Sequence, residues 1–440
     1  MKFKIRTLCA VLTLAASAHS AHADDLLQIY QQALTNDPVV LQAKAQRDQF
    51  YEAIEENRAP LLPSISAAVG YDKAWMDPGN DTSGITGSLA LSQIIYDHSA
   101  WVGLNLAEKA ASKADAMYAT SLQSLIVRVT NAYFNVLLAN DTYAYQIAEQ
   151  RAIERQLEQT KQRFAVGLTA ITDVHEAQAQ YDLATASVIQ AQNSLTNSYE
   201  ALREITGLDH ADLKVLDTNR FSASVPMPAK TEAWQKIAED SSLMLLTNRI
   251  AKDIAQETIS LRQSGHLPSL SLNAGYNKGL DQNTNGTSSP DYDQSSVGLK
   301  LNIPLFEGFR VSSQVKQAQY AYVEASQALE QTHRQVIKSV RSDFNDVAAA
   351  ISSIKAYEQS VISSESALKA TQAGFEVGTR TIVDVLNSTR TLYNAKRQLA
   401  NARYSYINSV MALKQAAGTL SEDDIISINN GLTADAQSHQ

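Results

Sequence analysis

Phe164-Ala165-Val166-Gly167-Leu168-Thr169-Ala170-Ile171-Thr172-Asp173-Val174 and Phe375-Glu376-Val377-Gly378-Thr379-Arg380-Thr381-Ile382-Val383-Asp384-Val385 are near-copies of one short turn, 211 residues apart. Phe, Val, Gly, Ile, Asp and Val recur at matching places. Gly167 and Gly378 fit the position just past a helix C-terminus, where φ is positive and a Cβ would clash. The Thr and Asp that follow fit the cap of a new helix. Each copy therefore predicts the tip of a helical hairpin, and the chain has two. A duplication found at the outset changes the reading of everything around it.

Outward from the tips the spacing is helical. From about His98 to Ala165 run 68 residues without proline. Leu104, Ala107, Ala111, Ala114, Tyr118, Leu122, Leu125, Val129, Ala132, Val136, Ala139 and Tyr143 fall at steps of three and four, the pattern of coiled-coil packing. At 1.5 Å per residue such a helix is roughly 100 Å long, which suits a rod or tube better than a globule. A second long helix is predicted from about Phe309 to Phe375. Return helices are predicted from about Ile171 to Ile205 and from about Ile382 to Ala417. The Glu and Asp on these helices read as solvated faces.

Ahead of each long helix the period changes to two. Pro63-Ser64-Ile65-Ser66 matches Pro268-Ser269-Leu270-Ser271, 205 residues on. Ile65, Ala67, Val69, Tyr71 and Trp75 form one alternating run; Ile85, Leu89, Leu91 and Ile95 form another, with a loop expected at 76–84. Leu270, Leu272, Ala274 and Tyr276, then Val297, Leu299, Leu301 and Ile303, repeat the pattern around an Asn-, Thr-, Ser- and Asp-rich loop expected at 281–295. Four strands in two hairpins follow, one face apolar and the other small or polar. A half-buried sheet in a soluble protein alternates in the same way. Two features favour lipid: the strand length suits a tilted crossing, and Tyr71, Trp75, Tyr96 and Tyr276 cluster at strand ends. Four strands cannot close a barrel, so strands in lipid require several chains to share one.

A helix from Asp25 to Asn57, interrupted near Pro38, precedes the first hairpin, and the matching segment from about Glu232 to Gln263 precedes the second. A short capped helix is expected at 421–430. Lys2, Lys4 and Arg6, an apolar run from Leu8 to Ala18, and Ala21-His22-Ala23 read as a cleaved secretory signal at 1–23. The lone cysteine, Cys9, leaves with it, so no disulfide or Cys-ligated metal is expected. Loss of the three basic residues takes the formal net charge from −9 to −12, which argues against nucleic acid as a partner. The division expected is a first repeat at 24–221, a linker at 222–230, a second repeat at 231–432 and a disordered tail at 433–440. No apolar stretch is long enough for a transmembrane helix. The histidines show no ligand spacing, and no Gly-x-Ser-x-Gly, Walker or Gly-x-Gly-x-x-Gly motif occurs. Catalytic residues, cofactors and a structural metal are therefore not expected.

Several runs spread over the chain carry a family resemblance. They include Arg58-Ala59-Pro60-Leu61-Leu62-Pro63, Ala132-Tyr133-Phe134-Asn135-Val136, Gln162-Arg163-Phe164, Val315-Lys316-Gln317-Ala318-Gln319-Tyr320 and Leu399-Ala400-Asn401-Ala402-Arg403-Tyr404, besides both tips. From residue 24 to about 432 the chain resembles the TolC family of outer-membrane efflux channels. The resemblance implies an α+β membrane protein, a homotrimer in which each chain gives four strands to a twelve-stranded outer-membrane β-barrel. A long periplasmic α-helical coiled-coil barrel with a mixed equatorial region continues it. It implies a passive exit duct for drug efflux and type I protein secretion, not an enzyme. A periplasmic adaptor (membrane fusion) protein and an inner-membrane RND, ABC or MFS pump are the implied partners, and a soluble periplasmic coiled-coil adaptor is a distant second reading.

The resemblance also assigns residues. Asp384 matches an Asp that the family places in a ring at the periplasmic constriction, where a multivalent cation can block. One turn on, the family pattern has a second Asp where this chain has Asn387. Arg380 matches an Arg that latches the neighbouring hairpin near Thr172 and Asp173. Phe375 stands where the pattern has a Tyr bonded to the Asp matching Asp173, and a Phe cannot make that bond. Gly167, Leu168, Thr169, Gly378, Thr379 and Arg380 are the implied adaptor-docking tips.

Overall fold

The computed structural model describes residues 23–75 and 81–434. All of the expected signal except Ala23, the start of the first expected strand loop, and residues 435–440 lie outside the described residues.

The first repeat runs α1 (Leu26–Asn36), α2 (Pro38–Arg58), β1 (Ser64–Ala74), β2 (Thr82–Tyr96), α3 (His98–Ala165), α4 (Ile171–Thr206) and β3 (Val215–Leu216). The second runs α5 (Thr231–Ser241), α6 (Leu243–Gln263), β4 (Ser269–Thr284), β5 (Thr287–Ser288), β6 (Tyr292–Asn302), α7 (Arg310–Glu376), α8 (Ile382–Ala417), α9 (Glu422–Asn429) and β7 (Leu432–Thr433). The two long helices are 68 and 67 residues.

Asp37 sets the break between α1 and α2. Pro38 has no N–H to continue α1, and the Asp37 carboxylate accepts from Val40 N at 2.9 Å to start α2. That carboxylate is itself gripped by Arg128 of α3, at 2.8 and 2.9 Å, and Asp37 is 1% exposed. The second repeat breaks at the matching place without a proline. Ser242 takes an extended conformation between α5 and α6, and its hydroxyl accepts from Leu245 N. The segment expected over Glu232–Gln263 as the counterpart of α1 and α2 is likewise two helices, divided at Ser242.

The strands lie in the order β1–β2–β4–β6, all antiparallel, with β5 paired to the end of β4. Directly opposed residues share a face. Ile65, Ala67, Val69 and Tyr71 oppose Leu91, Leu89, Gly87 and Ile85; Leu89 and Leu91 oppose Tyr276 and Ala274; Ala274, Leu272 and Leu270 oppose Val297, Leu299 and Leu301. One continuous apolar face results, and it is open, with Val69 82% and Val297 78% exposed. The other face carries Ser, Ala, Gly, Asn and Lys: Ser88 opposes Asn277, Ser92 opposes Asn273, and Ser271 opposes Lys300. Strands β1 and β6 each pair along one side only. Both expected strand loops are shorter than the composition suggested. Thr82, Ser83 and Gly84 pair with β1, β4 continues to Thr284, and β6 begins at Tyr292. Main-chain ladder bonds tolerate Asn, Thr and Ser, so composition overstated the turns.

The main core lies where α1, α9 and the β3–β7 pair wrap the middle of α3, the C-terminal end of α4 and the second half of α8. Leu26, Ile29, Leu125, Val129, Tyr133, Phe134, Leu202, Met411 and Ile425 are buried there. Tyr133 donates to Lys214 O at 2.7 Å, and burial drives its hydroxyl pKa far up. Thr433 pairs with Val215, so order extends past the expected start of the tail. A second cluster, with Trp234, Leu245, Val336, Val340 and Leu413, joins α5 and α6 to α7 and α8. Among the described residues no helix is long and apolar enough to cross a membrane.

Candidate gate at the hairpin tips

Both tips close in the same way. Gly167 (φ 78°) and Gly378 (φ 77°) follow the last helical turns of α3 and α7 in the left-handed conformation. Gly167 N donates to Phe164 O and Leu168 N to Arg163 O, each at 2.9 Å; Gly378 N donates to Phe375 O at 3.2 Å and Thr379 N to Gly374 O at 2.8 Å. These paired bonds satisfy carbonyls that the helix end leaves open. The return helices start differently. Thr381 and Asp384 form a reciprocal capping box on α8: Thr381 N and Oγ1 each donate to Asp384 Oδ2 at 3.0 Å, and Asp384 N donates to Thr381 Oγ1 at 3.2 Å. The expected cap on α4 is absent. Ala170 holds the cap position, and Thr169 donates its hydroxyl to the Asp173 carboxylate instead.

Asp384 is therefore a cap residue, half-buried, and the Thr381 N–H and hydroxyl hold its carboxyl below the usual carboxylate range, with Arg380 adding to the effect. Asn387 lies one turn further along α8 and is exposed. Arg380 is exposed and folds over its own hairpin: a Cβ on Gly374 would meet its Cγ at 2.7 Å. Within one chain it makes no ion pair to Asp173 among the described residues, and Thr172 is exposed. Leu168, at the outermost point of the first tip, is 68% exposed, and Thr379 and Gly378 are exposed at the second.

Phe375 is engaged by a residue to which no role was assigned. The Arg163 guanidinium lies over its ring, 4.7 Å from the centroid, and Nη1 donates to Phe375 O at 3.4 Å. The ring also packs on a small cluster, Ile153, Leu157, Ala177, Ile382, Val385 and Leu386, which joins the two hairpins just above the tips.

Above that cluster, α3 and α8 are joined by a buried polar seam. Asp141 accepts from Tyr404 Oη at 2.7 Å, Glu149 from Arg397 Nη1 at 2.8 Å, and Thr389 Oγ1 from Gln156 Nε2 at 3.2 Å. Burial and the neighbouring Asp141 carboxylate raise the Tyr404 pKa well above that of an ordinary tyrosine. Positions 141, 149 and 156 descend α3 as 389, 397 and 404 ascend α8, so steps of seven and eight keep each set on one face. Asp141 and Glu149 are therefore not solvated, as the acidic residues of these helices were expected to be. Their signal was positional, because they fall at helical spacing among apolar neighbours. Among the described residues no group of three or more His, Cys, Asp or Glu could hold a metal ion.

The comparisons with known proteins agree on one relationship. The chain matches the family described as "Outer membrane efflux protein" over residues 29–208 and 234–419. It is 49% identical over 432 residues to outer membrane protein TolC of Vibrio cholerae, covering 98% of each chain. To outer membrane protein TolC of Escherichia coli it is 44% identical over 446 residues, covering 98% of this chain and 89% of the relative. To the proteases secretion protein PrtF of Dickeya chrysanthemi it is 29% identical over 441 residues, covering 97% and 95%. Among solved structures it shares its fold with the CmeC outer membrane channel of Campylobacter jejuni (TM-score 0.78, 16% identity, 93% of this chain and 90% of that one). It also shares it with VceC of Vibrio cholerae (TM-score 0.74, 19% identity, 89% and 96%).

Proposed function

The chain belongs to the outer membrane efflux protein family, and from that premise we propose that three copies assemble into one passive duct, shut at the hairpin tips. The protein is an outer-membrane channel for efflux and secretion. The observation that carries the trimer is the sheet: an apolar face open to the outside, a small and polar face behind it, and two strands with an unpaired side. An open strand edge is not viable in lipid. Pairing β1 of one copy with β6 of the next removes every edge, and three copies give twelve strands. The long helices then continue the wall into the periplasm.

The duct does no chemistry and supplies no energy. A periplasmic adaptor docks at the tips, through Gly167, Leu168, Thr169, Gly378 and Thr379, and links the duct to an inner-membrane pump of the RND, ABC or MFS type. The names of the relatives support both efflux and protein secretion as traffic.

The gate combines a charge ring and a latch. Three Asp384 carboxylates about 6 Å apart would repel by roughly 1–3 kcal/mol per pair, for effective dielectrics between about 80 and 20. Such a ring selects cations and binds a multivalent one. Asn387 leaves this ring with three carboxylates where a second acidic position would make six. Arg380, which makes no ion pair within its own chain among the described residues, is placed to bond Thr172 and Asp173 of an adjacent copy by a directional, charge-assisted contact.

Single-channel recording of the purified protein in a planar bilayer tests the reading. The expected result is a small, long-lived conductance that a trivalent cation suppresses, from a particle whose mass in detergent is three chains. Stable channels indifferent to the cation would remove the ring. A protein that stays in solution without detergent and forms no channels would overturn the barrel.

A further inference from the structure

We propose that Arg163, stacked on Phe375, is the tie that holds the two hairpin tips of one chain together when the duct is shut. It rests on the gate lying at the tips. For a gate there to open, one hairpin must move against the other, so a contact that crosses between them at tip level has to break. The polar groups already assigned do not cross within a chain. Asp173 is taken up by Thr169 of its own hairpin, Asp384 by Thr381 of its own, and Arg380 folds over Gly374. Arg163, on the last turn of α3, does cross. Its guanidinium carbon sits 4.7 Å from the centroid of the Phe375 ring, on the last turn of α7.

Three further observations make this a built contact. Nη1 donates to Phe375 O at 3.4 Å, so ring and carbonyl of one residue face one cation. That carbonyl lies at the C-terminal end of a 67-residue helix, the end that attracts positive charge. Arg163 Nε is buried and has no hydrogen-bond partner. An arginine cannot shed its charge, so with one N–H unpaired the ring face is what compensates the lost water. Phe375 also packs on the cluster with Ile382 and Leu386 that joins the hairpins.

The tie is also graded correctly for a gate. Further from the tips, the seam carries an ion pair between the buried Glu149 and the part-buried Arg397, and a buried tyrosine–carboxylate bond, Asp141–Tyr404. Between these and the tip, among the described residues, the polar contacts are a neutral amide–hydroxyl bond, Gln156–Thr389, and the cation–ring contact, set beside the apolar cluster. Joints weaken toward the tip, so parting begins at Arg163.

The test uses the full-length protein in planar bilayers. Arg163→Met, which keeps the length of the stem without the charge, and Phe375→Leu, which keeps an apolar side chain without the ring, should each raise the resting open fraction about fivefold, in the range of a half-buried cation–π contact. The double variant should rise no further than either single one, and Phe375→Tyr, which keeps the ring, should leave the closed level unchanged. A misfolded tip would instead lower the number of stable insertions without raising the open fraction. Arg380→Ser separates the two readings. If it opens the duct while Arg163→Met does not, the tie is wrong and the tip gate stands. If neither variant changes the open fraction, the gate is not at the tips and both fall.

Discussion

Arg128→Met isolates the joint that fastens α2 to the long helix α3. Arg128 makes two bonds to Asp37, whose side chain is 2% exposed, while the arginine side chain is 32% exposed. Removing one partner of a buried pair leaves the other charge stranded, at about 3–5 kcal/mol. Water reaches the arginine, so the lower end applies, and about 3 kcal/mol is roughly a 150-fold change in a local opening equilibrium. Methionine keeps most of the stem's packing, which leaves the charge as the variable. Hydrogen exchange on peptides covering 38–58 should show that loss of protection at neutral pH. Adding Asp37→Asn should recover most of it, because Asn still caps α2 through Val40 N and carries no charge. The pH dependence has a definite sign. Burial alone would raise the Asp37 pKa, but the Arg128 bonds and the Val40 N–H outweigh it and hold the carboxyl below the usual range. A depressed folded pKa gives stabilisation that is complete above about pH 4, the ordinary carboxylate value, and lost as pH falls through the folded value. Wild-type protection of α2 should therefore be flat from neutral pH to about 4 and fall only below it. Protection in Arg128→Met within twofold of wild type, or a double variant worse than the single one, would refute the reasoning.

Three other outcomes can be checked directly. Asn387→Asp should lower the concentration of trivalent cation needed for half-block by about tenfold, as expected for added carboxylates at about 6 Å; an unchanged blocking curve would remove the motive for the three-carboxylate ring. Arg380→Ser should raise the resting conductance, and if it does not, the latch between copies is wrongly assigned. Gly207 and Gly418 end α4 and α8 with φ of 71° and 75°, but a Cβ meets nothing at Gly207 and lies 2.3 Å from Ser241 O at Gly418. Gly207→Ala should therefore cost about 1–2 kcal/mol of backbone strain, while Gly418→Ala should abolish recovery of channel-forming protein. Equal yields of the two would contradict the packing at Ser241.

The long elements were legible because their signals are long. A 68-residue run with no proline, opened by Asp97 and closed ahead of Gly167, leaves no other reading, and α3 spans His98–Ala165 as expected. The strand faces were legible for the same reason, since each alternation repeats in its duplicate. Short-range composition misled. Thr82–Gly84 and Asn283–Thr284 look like turns, yet each has a strand partner to bond. The break at Ser242 was hidden because serine, though favoured at a cap, also occurs inside these helices, as at Ser112 and Ser121 of α3. At the candidate gate the tips themselves were plain, but their partnerships were not. Nothing local to Arg163 says that its ring partner is 212 residues away. Asp141 and Glu149 looked like any acidic residue on a helix until Tyr404 and Arg397 were placed opposite them.

The great length of α3 has a mechanical consequence. Its middle, around Leu125–Leu137, is clamped in the main core, and its end at Ala165 lies about 30 residues further on, roughly 45 Å at 1.5 Å per residue. A rod pivoting at that clamp by about 10° sweeps its end sideways by roughly 8 Å. An aperture wide enough for a solute can thus be made by a tilt that leaves every buried contact near the pivot almost where it was. Leverage stands in for rearrangement: for the tip gate proposed above, a force applied at the tips acts where the arm is longest and the hold on each hairpin is lightest.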